Sequence, residues 1–231
     1  MAVKPVQTVL FLVVAAAAAV GADLVDQFDQ SSLNIQPNDD LFTILKKASF
    51  VKRKYYGETE IQVNGFSWSN CGPGTDAIKV NSASVSPDPL NLPGNANVGF
   101  DVTFSAPIVA PLKAELKIEK RVLFWIEIPC ISNVGSCTYN DICSMIPSPP
   151  GGQCPPPFSS YKIPCRCPFK PGRYRLPSYQ VYINDSSIPA ALADGDFRVT
   201  ARLSTNGKQV ACVAGTLSVT RHQTAASRKM K

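Results

Sequence analysis

The chain has 231 residues and a formal net charge of +6; 45% of its residues are hydrophobic and 17% are charged. This apolar share is enough for a packed core and excludes a disordered chain. Dense basic runs occur only at residues 52–54 and 228–231, which disfavours nucleic-acid binding. The single histidine, His222, lies in a polar C-terminal stretch, which disfavours histidine-based triads, dyads and zinc sites.

The N-terminus has the residue order of a secretory signal peptide, which we predict over residues 1–22. Lys4 precedes an apolar run at residues 9–20, and Gly21 and Ala22 are small enough for cleavage. The run is short for a bilayer span, which needs about 20 residues; a signal anchor is the alternative. A secreted chain enters an oxidising compartment, where its eight cysteines indicate disulfides. There the sequon that begins at Asn184 is a predicted glycosylation site.

Residues 23–64 contain no cysteine, and aspartates are interspersed with Gln, Ser and Asn at their start. We interpret them as a linker or pro-segment. The apolar spacing at residues 40–50 is compatible with a short amphipathic helix, and residues 51–54 resemble a processing site of low specificity. The main domain is then predicted over residues 65–220 and a basic tail over residues 221–231.

After residue 65, apolar and polar residues alternate with a period of two, which predicts β-strands with one buried face. The pattern covers residues 97–106, 112–119, 173–183, 197–203 and 209–219. Asn206-Gly207, between the last two, is a favoured hairpin dipeptide. No long helical pattern interrupts the strands, so the predicted fold is an all-β antiparallel sandwich, cup or barrel.

Between these strands lies a disulfide-rich, proline-rich loop insertion. Residues 130–167 hold six of the eight cysteines. Proline cannot donate to a sheet ladder, so this stretch is not central sheet. Cys71 and Cys212, outside the insertion, form the natural long-range pair, and the other six then pair among themselves. Cys165 and Cys167 are weak metal ligands because no second ligand pair has zinc spacing.

Several motifs are more specific than this pattern. They are FSWSNC at 66–71, SPDPL at 86–90, LPGN at 92–95, PLK at 111–113, WIEIPC at 125–130, GSCT at 135–138 and IPCRCPFK at 163–170. Together with the eight cysteines and Gly207-Lys208, this pattern resembles the ganglioside GM2 activator protein family, in the MD-2-related lipid-recognition group. The resemblance covers about residues 66–219 and leaves out residues 23–62 and the tail.

The resemblance implies a β-cup that encloses an apolar lipid cavity. It implies the disulfides Cys71–Cys212, Cys130–Cys137, Cys143–Cys167 and Cys154–Cys165. It further implies a secreted or lysosomal protein without catalysis or cofactor. Such a protein binds a glycosphingolipid such as a ganglioside, extracts it at a membrane surface and presents it to a hydrolase, of which a lysosomal β-hexosaminidase is the expected partner.

The residues that we predict to contact lipid or membrane lie in three loops. They are Leu123, Phe124, Trp125 and Ile126; Ile146 and Tyr161 in the insertion; and Ile188, Ala191 and Leu192 after the sequon. By parity, Phe124 and Ile126 face the interior while Leu123 and Trp125 face outward. Ala191 stands where vertebrate members of the family have an aromatic residue. The resemblance therefore does not imply that this chain binds membranes as strongly as those members do. Trp68 is expected in the core.

Two other functions are compatible with the sequence. A secreted matrix or interaction module could use the same scaffold without a ligand, in line with the acidic N-terminal segment and the basic tail. A hydrolase would need paired carboxylates. Asp101, Glu115, Glu119 and Asp196 are available, but alternation predicts that Glu115 and Glu119 are solvated surface charges, and no spacing pairs the four.

Overall fold

The computed structural model describes residues 65–131, 133–146, 152–184 and 194–221. The predicted signal peptide, the pro-segment with its helix at residues 40–50, and the basic tail beyond Arg221 lie outside the described residues, as do Ile188, Ala191 and Leu192. Among the described residues, no helix is long and apolar enough to cross a membrane.

Ten strands and one helical turn make up the described part of the chain. The strands are β1 (Ser67–Asn70), β2 (Ile78–Ser86), β3 (Leu90–Leu92), β4 (Gly94–Phe104), β5 (Leu112–Arg121), β6 (Trp125–Glu127), β7 (Thr138–Tyr139), β8 (Gly172–Ile183), β9 (Gly195–Thr205) and β10 (Lys208–Arg221), and the turn is α1 (Ile142–Met145). All five strand patterns found in the sequence fall within β4, β5, β8, β9 and β10, apart from end residues. The all-β prediction is therefore confirmed.

The strands form two sheets. The large sheet has the order β1-β10-β9-β5-β6, with β3 added to β10 and β7 added to β5, and the small sheet has the order β2-β4-β8. Neighbouring strands are antiparallel except β3, which runs parallel to β10. Antiparallel sheets can keep one face apolar and the other solvated, and the two apolar faces meet as a sandwich.

The predicted hairpin joins β9 to β10. Asn206 and Gly207 have φ values of 49° and 75°, the left-handed conformation that a type I′ turn requires at both positions. Thr205 and Lys208 pair directly across this turn. The dipeptide therefore sets the register of the two central strands of the large sheet.

The space between the sheets is filled differently at its two ends. At the packed end, where β9 begins, large side chains form a continuous core; they include Leu90, Leu92, Ile118, Ile128, Ile183, Phe197, Val199 and Val219. At the open end, where β9 runs into the hairpin, a second cluster contains Ile78, Ile108, Leu112, Ala114, Ile142, Val210 and Ala211. Trp68 packs against Val80 and Val213, so it belongs to the core as expected.

Four disulfides brace the sandwich, and they join the same pairs that the family resemblance implies. The Cys71–Cys212 bridge links the residue after β1 to β10 over a separation of 141 residues. The amide of Cys71 also donates to the carbonyl of Cys212 at 2.9 Å. The other three bridges lie in the insertion between β6 and β8.

Two carboxylates on the outer faces are buried, which corrects the prediction for Glu119. The residue is only 7% exposed because Arg198 on β9 lies over it and donates two hydrogen bonds of 2.8 Å. Burial alone would raise the pKa of Glu119, but the hydrogen bonds from Arg198 and Lys117 outweigh it and leave the pKa below its ordinary value. Glu115 is exposed as predicted and pairs with Lys113 at 2.5 Å.

Asp101 on the small sheet is likewise buried, at 4% exposure. The guanidinium of Arg173 donates to both of its oxygens, and Asn81 donates a further hydrogen bond of 2.8 Å. Hydrogen bonds from Arg173 and Asn81 lower the pKa of Asp101 from 3.8 to about 2. The pair joins β8 to β4 through side chains as well as through the sheet ladder.

We expect the long-range disulfide to contribute most to stability. Replacing Cys71 and Cys212 by alanine frees a loop of 141 residues in the unfolded chain and should lower the free energy of unfolding by about 4–5 kcal/mol. The matched change at Cys130 and Cys137, which close a loop of 7 residues, should cost about 2 kcal/mol. Urea unfolding of both variants measures the difference; equal losses would contradict the expectation.

The Asp101–Arg173 pair should make stability depend on acidity. Because the folded pKa is lower than the unfolded one, the stabilisation is complete above about pH 4 and is lost as the pH falls to about 2. Asp101→Asn should therefore be less stable than the wild type at neutral pH, with a difference that shrinks over this acidic range. Urea unfolding at stepped pH tests this, and a difference that stays constant with pH would refute it.

Candidate functional site

An apolar cavity of about 170 Å³ lies between the two sheets at the open end. Its walls come from strands of both sheets and from the insertion. They are Leu112, Ala114, Leu116, Ala201, Leu203, Ala211 and Val213 of the large sheet; Ile78, Val80, Phe100, Val102, Phe104 and Tyr174 of the small sheet; and Ile142, Ile146, Phe158, Ile163, Pro164 and Phe169.

The cavity remains open because small side chains face it from three adjacent strands. Ala114 on β5 and Ala211 on β10 line it, and Ala201 on β9 lies where the cavity meets the packed core. At the packed end, the same inner faces carry Ile118 and Phe197 instead. A methyl group cannot bridge the roughly 10 Å between stacked sheets, so the alanines leave volume that the larger residues fill elsewhere.

The outer wall of the cavity is a segment held by two disulfides, described at residues 142–146 and 152–171, which we call the stapled segment. The Cys143–Cys167 and Cys154–Cys165 bridges cross it. The carboxylate of Asp141 accepts hydrogen bonds of 3.0 Å from the amides of Cys143 and Leu112, which caps α1 and ties it to β5. These constraints replace the sheet ladder that a proline-rich chain cannot form.

The cavity offers dispersion contacts and almost no polar groups. Its one hydroxyl, on Tyr174, donates to the carbonyl of Lys170 at 2.9 Å and is thereby satisfied. An apolar cavity of about 150 Å³ in an engineered protein stays dry and binds benzene, so a site of this size and lining suits hydrocarbon. The described residues contain no cluster of side chains that could hold a metal ion.

The carboxylates considered for hydrolysis do not face this cavity. Asp101 and Glu119 are held by arginines on the outer faces, as described above. Glu115 lies on the outer face beside Lys113, and Asp196 accepts a hydrogen bond of 2.7 Å from Ser218. Two of the four are thus held in buried ion pairs and none belongs to the cavity lining.

Of the residues predicted to contact lipid, Ile146 lines the cavity. Tyr161, in the same segment, is 43% exposed and lies outside the lining. Leu123, Phe124 and Ile126 form a separate apolar cluster with Val122 in the β5–β6 hairpin, beyond the packed end. Phe100, Phe104 and Leu203 also line the cavity; alternation predicted their strands but not this role.

Trp125 lies on the outer face of the large sheet. The Arg198 guanidinium is 4.8 Å from the centre of its ring, and that of Arg121 is 5.9 Å away. Arg198 also holds Glu119, so the ring belongs to a stack of charged side chains. Trp125 was predicted to face outward by its parity along the strand. It pairs with Arg121 across the hairpin, so the two side chains lie on the same face of the sheet.

One charged residue, Lys120, interrupts the apolar inner face of β5 beside the hairpin. Its ammonium lies 5.6 Å from the centre of the Phe197 ring. Burial lowers the pKa of Lys120, against the opposing effect of the Asp194 carboxylate. The packed end and this cation therefore separate the hairpin cluster from the cavity.

The predicted glycosylation residue, Asn184, follows β8 directly and is exposed. Its position suits a bulky modification, because glycans need a solvent-facing side chain. Glycosylation itself stays a prediction.

Several known proteins are similar to this chain over part of its length. The family model described as the ML domain matches residues 65–219. The ganglioside GM2 activator of Mus musculus is 42% identical over 155 residues, 66% of this chain and 80% of that protein. The one of Macaca fascicularis is 39% identical over 155 residues, 66% of this chain and 82% of that protein. A solved Niemann-Pick type C2 protein from Japanese carpenter ant matches 67% of this chain and all of its own, at 15% identity and a TM-score of 0.36.

The difference between the two ends can be tested with one substitution at two positions. Ala114 and Ala96 are both buried on inner faces, but only Ala114 lines the cavity. Ala96→Leu should overpack the core and cost about 1–3 kcal/mol, whereas Ala114→Leu should fill empty volume and cost less than about 1 kcal/mol. Urea unfolding compares the two variants, and equal costs would contradict an unfilled site at Ala114.

Proposed function

Because the chain belongs to the ML-domain family, we propose that it is a non-enzymatic lipid-binding protein that encloses acyl chains between its two sheets. The observation that carries this proposal is the apolar cavity at the open end, whose lining presents hydrocarbon from both sheets and from the stapled segment. Each methylene group that moves from water into such a site contributes about 0.8 kcal/mol.

The energetics favour exchange over permanent capture. A bilayer interior is as apolar as this cavity, so moving an acyl chain from one to the other is nearly balanced. The cavity of about 170 Å³ holds only part of a lipid with two chains. Full loading therefore requires the stapled segment or the sheets to move apart at the open end.

The finer proposal concerns the lipid and its fate. Two relatives at 42% and 39% identity are named ganglioside GM2 activator, which supports a glycosphingolipid such as a ganglioside as ligand. The protein would extract this lipid from a membrane and present its sugar to a hydrolase, with a lysosomal β-hexosaminidase as the first partner to test. The four disulfides suit a secreted or lysosomal destination.

A matrix or interaction module without a ligand is the second candidate. It is favoured by the chain outside the family match, since the acidic residues 23–40 and the basic tail both lie beyond residues 65–219. Such a module would retain the fold, and its cavity would stay empty in the purified protein.

Native mass spectrometry of the secreted protein separates the two candidates. We expect one lipid per chain, identified after organic extraction, and transfer of a labelled ganglioside between vesicles. Filling the cavity by Ala114→Leu with Ala211→Leu should weaken lipid binding at least about tenfold, the equivalent of roughly two buried methylene groups. Ala214→Leu on the outer face of β10 is the matched control and should bind lipid like the wild type.

The proposed presentation of lipid to a hydrolase is tested by the rate of ganglioside hydrolysis. Adding the loaded wild-type protein to a β-hexosaminidase should accelerate hydrolysis of the ganglioside, and the filled variant should not. A protein that is empty and also fails to transfer lipid would favour the matrix module. A protein that carries and transfers lipid without stimulating the hydrolase would retain the lipid-binding function and remove the proposed partner.

A further inference from the structure

An exposed tyrosine stands on the outer face of the small sheet, beside the predicted glycosylation residue. Tyr182 on β8 is 63% exposed, the highest value among the large apolar side chains that the structure describes. The next residue, Ile183, is buried in the core between the sheets, so Tyr182 faces outward because side chains alternate along a strand. Asn184 follows directly after the strand. The tyrosine ring is therefore close to any group that is attached at Asn184.

Exposed carboxamides border the tyrosine ring. Asn95 on β4 pairs directly with Tyr182, and Asn97 pairs with Gln180, two residues earlier on β8. All four residues are exposed, whereas Ala96, between the two asparagines, is buried on the inner face. Residues that lie directly opposite one another on antiparallel strands are about 5 Å apart at Cβ. We call Asn95, Asn97, Gln180 and Tyr182 the amide–tyrosine patch.

The amide–tyrosine patch is uncharged, and its polar groups are available to a ligand. Among the described residues, none of its four side chains forms a hydrogen bond within the protein. Arg173 and Arg175 lie toward the other end of β8, beside Asp101. Carboxamides both donate and accept hydrogen bonds, and an aromatic ring presents a face of negative potential to C–H groups. A neutral sugar matches both features, whereas a phosphate or a charged peptide would find no opposite charge in the patch.

The patch also lies on a sheet edge that the described strands leave unpaired. The small sheet has the order β2-β4-β8, so the outer edge of the 12-residue strand β8 has no neighbouring strand among the described residues. At the opposite edge, the Asn70 carboxamide donates to the carbonyl of Val80 at 2.8 Å and accepts from its amide at 3.0 Å, which covers β2. A long exposed edge is a template for pairing with another chain, and proteins commonly cover such edges. A cover over β8 would protect this side of the sheet in the same way.

We propose that an N-linked glycan on Asn184 folds back over the amide–tyrosine patch and shields the edge of β8. Its first N-acetylglucosamine packs a C–H face on the Tyr182 ring, and its hydroxyl and acetamide groups form hydrogen bonds with the carboxamides of β4 and β8. Attachment joins C1 of the sugar to Nδ2 of Asn184 and breaks the bond from C1 to the diphosphate of a lipid-linked donor, which takes up the proton that Nδ2 loses. The patch lies outside the sandwich, so the proposal does not depend on what the cavity binds.

The full chain, expressed in animal cells and purified from the medium, tests the proposal. Glycopeptide mass spectrometry should find Asn184 occupied, and Ser186→Ala, which removes the sequon and keeps the asparagine, should abolish the modification. The glycosylated protein should melt about 2–4 °C higher than Ser186→Ala, as one aromatic contact produces in a domain of this size. In a Tyr182→Ser background the same comparison should show little difference, because the ring that holds the sugar is gone.

Tyr179→Ser is the matched control. Tyr179 lies on the same strand and is 37% exposed, but it pairs with the buried Val98 and so belongs to the inner face. Removing the sequon should lower the melting temperature of this variant as much as that of the wild type. An unmodified Asn184, or a glycan that stabilises the wild type and Tyr182→Ser equally, would overturn the proposal.

Hydrogen exchange locates the shielded strand. With the glycan present, the backbone amides of β8 should exchange more slowly than in Ser186→Ala, and this slowing should be lost in Tyr182→Ser. The amides of β2, whose edge Asn70 already covers, should exchange alike in the three proteins. Equal exchange of β8 with and without the glycan would mean that the sugar extends into solvent, and the proposed contact would be wrong.

Discussion

The two sheets bury their apolar faces against each other, and this contact is completed at only one end. At the packed end, side chains such as Phe197 and Ile118 fill the space between the sheets and stabilise the sandwich. At the open end, alanines leave a cavity whose walls forgo dispersion contacts. An unfilled cavity costs stability, and the long-range Cys71–Cys212 bridge helps the domain to tolerate that cost.

The proline-rich insertion completes the site because disulfides and one aspartate order it. Its prolines cannot donate to a ladder, and its described pairings are short: β7 with β5, and isolated bridges such as that between Ile108 and Phe169. The Cys143–Cys167 and Cys154–Cys165 bridges, with Asp141 capping α1, hold Ile146 and Phe158 against the cavity. A wall held by crosslinks can shift outward without breaking a sheet.

Polar and apolar chemistry are kept on opposite faces of the sheets. The buried carboxylates Asp101 and Glu119 are each covered by an arginine on the outer face, and Trp125 lies over Arg198 in the same layer. The inner faces are left almost entirely to hydrocarbon. None of the four carboxylates considered for hydrolysis belongs to the cavity lining.

The sequence by itself determined the class of this fold and indicated one of its four crosslinks. Period-two alternation located the principal strands, Asn206-Gly207 set the central hairpin, and the positions of Cys71 and Cys212 indicated their pairing, because each signal depends on local residue types and spacing. Only the tertiary structure decided that Ala114 and Ala211 border a cavity, that Glu119 is covered by Arg198, and that β3 runs parallel to β10. These features depend on register between strands far apart in the chain, and alternation reports which face a residue occupies but not what lies opposite it.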